Sequence, residues 1–61
     1  MMIANQRVWF VRDGRINRGV VIDWGKLDGE DVIFVKGRKG WTDRIWVVKE
    51  GEHNKVVEGG V

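Results

Sequence analysis

Sixty-one residues make one domain at most, and a chain this short buries only about 60% of its unfolded surface, so its core is thin. The absence of cysteine excludes a disulfide framework and a thiolate metal site, so stability must come from packing, to which four Trp and two Phe bring large apolar area per residue. The net charge of +2 is mildly basic, no apolar run approaches the roughly 20 residues of a bilayer span, and the N-terminus lacks a signal-peptide core, so a cytoplasmic protein with no membrane partner is expected.

Taken in chain order, the elements read as strands. Turn signals recur at Asp13-Gly14, from Gly25 to Gly29, from Gly37 to Gly40 and at Gly51, the spacing of a small β meander. Between them lie four predicted strands: Arg7–Arg12, Arg15–Trp24, Asp31–Lys36 and Trp41–Lys49. A fifth, around Lys55–Glu58, is expected to pair back across a turn at Glu50–Asn54. No segment carries apolar residues at helical spacing, and proline is absent, so no strand is demoted on that ground. One domain over 1–61 is expected, with a barrel core at about 6–49 and a C-terminal turn, strand or tail at 50–61. Met1–Asn5 and Gly59–Val61 read as frayed ends.

In the second strand Ile16, Val20, Ile22 and Trp24 fall on one face by alternation, which marks Trp24 as a core residue. Gly19 in mid-strand suggests a bend. Val32-Ile33-Phe34-Val35 is apolar on both faces, as in a strand covered twice or meeting a partner. A two-residue type I′ turn at Asp13-Gly14 sets Arg12 opposite Arg15 and puts Trp9 and Val11 on the face of Ile16 and Val20. A slip of one residue puts Val8 and Phe10 there instead. Both registers remain open, and with them whether Trp9 or Phe10 faces the core.

The stretch from Val8 to Val21, VWFVRDGRINRGVV, resembles the first hairpin of Tudor-type barrels. Val32-Ile33-Phe34-Val35-Lys36-Gly37 looks like their third strand and following turn, and Asp43-Arg44-Ile45 is similar to the segment that closes the barrel. Retroviral-type integrase C-terminal domains, which are SH3-like DNA binders, share the spacing of hydrophobic and Gly positions. The resemblance covers about Arg7 to Val48 and implies an all-β fold: an SH3-like (Tudor/KOW-type) small barrel of four to five antiparallel strands. Where Tudor domains that read methylated side chains carry an aromatic cage, this chain has Asn17 and Arg38-Lys39. Cations there would repel a cationic ligand, so the resemblance does not extend to methyl-mark reading. Plasmid-borne dihydrofolate reductases of the small-barrel kind resemble the chain in size and strand layout, but their Val-Gln-Ile-Tyr segment is absent.

In a meander successive turns alternate between two ends. The first and third turns then gather Arg12, Arg15, Lys36, Arg38 and Lys39 against Asp13, while the second gathers Asp23, Asp28, Glu30 and Asp31 against Lys26, with Glu50 and Glu52 beyond. In the loop Gly37-Arg38-Lys39-Gly40 the glycines permit close backbone approach and the cations suit phosphate oxygens. Trp41 could stack on a base. The same loop also reads as a solvated hairpin tip. Arg18 extends the basic surface or makes an ordinary cross-strand ion pair. The candidate nucleic-acid-binding residues are therefore Arg12, Arg15, Arg18, Lys36, Arg38, Lys39 and Trp41, for a DNA or RNA backbone partner.

Chemistry has little to work with. There is no Ser, Cys or Tyr, a single Thr at position 42 and one histidine, His53, in a Gly/Glu/Asn turn. No catalytic residue, metal site or cofactor is expected, and the chain reads as a binding protein, not an enzyme. The rival reading is a protein-interaction module or small regulator, or self-association, because one small core can hardly enclose four indoles.

Overall fold

The computed structural model describes residues 5–37 and 44–56. They form five strands, β1 (Arg7–Arg12), β2 (Arg15–Leu27), β3 (Glu30–Gly37), β4 (Ile45–Lys49) and β5 (His53–Lys55), with a short 3-10 turn at Glu50–Glu52. All pairings are antiparallel, in the order β4-β3-β2-β1-β5. The fold is thus all-β, and the sheet is open: β4 and β5 are its two edges.

Two tight turns start the meander. Asp13 and Gly14 both have positive φ (55° and 72°), as do Asp28 and Gly29 (51° and 79°). That double left-handed conformation is what the right-handed twist of a two-residue hairpin requires, and Asp-Gly adopts it with little strain. Arg12 accordingly faces Arg15 and Leu27 faces Glu30. The second turn is shorter than the expected Gly25–Gly29 segment. Gly25, Lys26 and Leu27 stay in β2, because Val32, Asp31 and Glu30 offer them ladder partners.

The core is Val8 and Phe10 from β1, Val21 from β2, Ile33 and Val35 from β3 and Val48 from β4, with Trp46 packed against it. No polar or charged side chain is buried among the described residues. Phe10 meets Trp46 edge to face, ring centroids 5.4 Å apart at 70°, a favourable quadrupole arrangement.

The type I′ register holds, yet Phe10 is buried and Trp9 lies on the opposite face. Both are true because the core face of β2 carries Asn17, Gly19 and Val21, not Ile16 and Val20. Gly19 packs directly against β3. A Cβ there would overlap the Lys36 carbonyl oxygen and lie 2.6 Å from Val35 Cγ1. Ile22 is then an extra residue: Val21 pairs with Val35 but Asp23 with Phe34, a bulge between them. One inserted residue reverses the alternation. Trp24 therefore does not share a face with Val20, and at 51% exposure it is not a core residue. β3 is apolar on both sides as expected, with adjacent Val32 and Ile33 both buried.

The C-terminal segment differs from expectation. The strand begins at His53 and pairs with β1, Val8 opposite Lys55 and Phe10 opposite His53, not with β4. A 3-10 turn at Glu50–Glu52 is no hairpin loop. It carries the chain over the end of the curled sheet to the vacant edge of β1. Val56 N–H continues the ladder to Arg7 O at 2.9 Å, so this segment belongs to the sheet. β4 starts at Ile45, and its expected stretch at 41–43 lies outside the described residues, as do the expected frayed ends at 1–4 and 59–61. Asn5 is held, its N–H donating to Val21 O at 2.6 Å.

Candidate functional site

The face of the sheet turned away from the core is assembled from every second residue of β1 and of the first half of β2. Across the strands, Arg7, Val20, Lys36 and Ile45 form one row by direct pairing. The next row is Asn54, Trp9 and Arg18, and the third is Val11 and Ile16. Trp9 and Val20 are half-buried, while Val11 (58%) and Ile16 (64%) are largely exposed. Arg18 and Lys36 are both exposed and reach this face from neighbouring strands. Arg18 stands two residues, about 7 Å, from the Val20 that faces Lys36. Neither has an ion-pair partner among the described residues. None of the residues in the three rows is acidic. Among the described residues the next carboxylate on this face is Asp23, past the bulge, whose Oδ1 accepts the Trp24 N–H at 2.8 Å.

The other expected cations fall elsewhere. Arg12 and Arg15 face each other at the end of the first hairpin, on the core side of the sheet. Arg15 is exposed and about five residues, or 17 Å, along β2 from the level of Lys36. Arg12 folds inward. Its Nη2 donates to the Val47 carbonyl at 3.0 Å, and its guanidinium lies 5.5 Å from the Phe10 ring centroid and 5.7 Å from that of Trp46. Arg44 covers Trp46 more closely, at 3.8 Å. Both cations lie over the aromatic rim of the core, and Arg12 joins β1 to the open edge of β4. Arg38, Lys39 and Trp41 lie outside the described residues, in the connection between Gly37 and Arg44. Its base is closed by the Gly37 N–H donating to Arg44 O at 2.9 Å.

The opposite end is acidic. The Asp28-Gly29 turn and the 3-10 turn lie together there, bordering a groove lined by Leu27, Asp28, Glu30, Lys49 and Glu52, which Arg12 of the first hairpin also lines. Two ion pairs sit at this end, Lys26–Asp31 at 3.6 Å and Lys49–Glu30 at 3.2 Å. Each is exposed and contributes little to stability. His53 opens β5, its Nδ1 3.5 Å from Lys49 O. Among the described residues no cluster of His, Cys, Asp or Glu could hold a metal ion, and no helix is long and apolar enough to cross a membrane.

Sequence reasoning missed Arg7, Trp9 and Asn54 as members of one face. The hairpin register alone would have placed Trp9 beside Arg18. Asn54 became visible only once β5 was found against β1. No family model, no curated protein and no solved structure matches this chain.

Proposed function

We propose that this chain is a small nucleic-acid-binding module of the SH3-like, Tudor/KOW type, working in the cytoplasm by binding and not by catalysis. The barrel type is supported by a four-strand meander whose fifth strand returns to β1 after a 3-10 turn, and by a long, bulged β2 shared between two pairings. The observation that carries the function is Arg18 and Lys36 on one sheet face beside Trp9, in rows that hold no carboxylate among the described residues. Phosphate oxygens would meet Arg18 and Lys36, and the sequence adds Arg38, Lys39 and Trp41 as further candidates for phosphate and base contact. Such contacts hold a backbone with little base discrimination.

Fluorescence anisotropy with labelled DNA and RNA at two salt concentrations tests this. Affinity should fall steeply as salt rises. Arg18→Ala and Lys36→Ala should each weaken binding across all sequences and reduce the log–log salt slope by about one. Absence of binding at low salt, or a slope that ignores both substitutions, would overturn it.

A second reading rests on Val11 and Ile16, paired directly and both mostly exposed. Bare aliphatic pairs of this kind suit a protein partner or a second copy. Sedimentation velocity distinguishes the two: a stable oligomer with no affinity for nucleic acid favours this reading.

A further inference from the structure

The face that carries Arg18 and Lys36 has a feature that phosphate binding does not require. Direct pairing sets Arg18 on β2, Trp9 on β1 and Asn54 on β5 in one row across three strands, with neighbouring positions about 4.8 Å apart. From the row and its burial, we propose that this face binds single-stranded nucleic acid, with a base stacked on Trp9 and its edge presented to Asn54. The inference rests on the phosphate-binding reading above and narrows its partner from nucleic acid in general to the single strand.

Three observations favour a single strand over a duplex. Trp9 is half-buried in the middle of the sheet face, flanked along β1 by Arg7 and Val11. An indole seated this way offers a ring surface to an unpaired base, whereas the faces of paired bases are hidden inside a duplex. Second, Asn54 is exposed, β5 is an edge strand, and no hydrogen bond of the Asn54 side chain occurs among the described residues. Its amide has both a donor and an acceptor, as a base edge requires. Third, Arg18 stands beside Trp9 and Lys36 stands one row on. A strand whose base covers the indole can pass its flanking phosphates over these two cations. The aliphatic Val11–Ile16 pair lies in the next row on the other side of Trp9, so a neighbouring base would rest on apolar surface.

Eight-nucleotide oligo-dT, oligo-rU and oligo-dA, and a duplex of equal length, titrated at low and moderate salt, provide the test. The single strands should bind at least about fivefold tighter than the duplex, and Trp9→Val should remove most of that margin while leaving the salt slope unchanged. Trp9→Phe, which keeps a ring, should restore it. Asn54→Ala should alter the ranking of the homopolymers with the slope intact, and comparing dT with rU separates DNA from RNA as the source of the strand. Thermal melts confirm that each variant remains folded; Trp9 is outside the core, so Val at this strand position should not unfold the protein. Duplex bound as tightly as single strand, with Trp9→Val silent, overturns the stacking inference while phosphate binding stands. No binding of any oligonucleotide at low salt overturns both.

Discussion

Arg12 and Arg18 show how far residue type falls short of residue role. Both are arginines near the first hairpin, and both suggest a phosphate contact on charge alone. The guanidinium of Arg12 is taken up by the Val47 carbonyl and the rings of Phe10 and Trp46, while Arg18 has no ion-pair partner among the described residues. Arg12→Ala should therefore cost about 1–2 kcal/mol of stability in a urea melt, through one lost hydrogen bond and the stacked cation, and should reduce nucleic-acid affinity far less than Arg18→Ala does. Equal losses of affinity would place Arg12 in the interface after all. Gly19 is the other decisive residue. Its position leaves no room for a methyl group against the Lys36 carbonyl and Val35. Gly19→Ala should destabilise by at least about 2 kcal/mol by forcing β2 and β3 apart, seen as a lower midpoint in chemical denaturation. A neutral result would mean the two strands separate at little cost there.

At the scale of the elements, strand limits follow turn chemistry. Asp-Gly at 13–14 and again at 28–29 supplies two successive left-handed residues, so β1, β2 and β3 begin and end where those turns dictate. Gly29→Ala keeps the contacts of the turn but not its favoured backbone, and should cost about 1 kcal/mol by thermal melting. The strand spans of β1 and β3 were legible because turn residues and β-branched runs are local signals. The phase of β2 was not. Its alternation reads as one continuous apolar face through Ile16, Val20, Ile22 and Trp24, and a bulge at Ile22 divides that face in two. A bulge leaves no local mark when the inserted residue is itself a good strand former. The position of β5 was hidden for another reason: its partner lies more than forty residues back along the chain, and nothing within a three-residue strand names that partner.

For the whole molecule, stability is limited by the size of the core. A domain of this length is stable by only about 3–9 kcal/mol, and Phe10→Ala in a core of this kind costs about 3–5 kcal/mol. That variant should lose cooperative unfolding in calorimetry; a sharp transition near the parent temperature would show that Trp46 and Arg12 can refill the space. The Lys26–Asp31 and Lys49–Glu30 pairs stand at the acidic end, and Arg18 and Lys36 lie on the outer face toward the other. The sequence by itself determined the all-β class, two hairpin turns and a doubly apolar β3, because all of these depend on neighbours a few residues apart. Only the tertiary structure decided which face of β2 is buried, that Phe10 goes in while Trp9 stays out, and that Arg18, Trp9 and Asn54 stand in line. Those outcomes depend on where Gly19 lets two strands close together, where one extra residue reverses a strand, and which free edge the last segment reaches. Each is a contact between parts of the chain that carry no local record of one another.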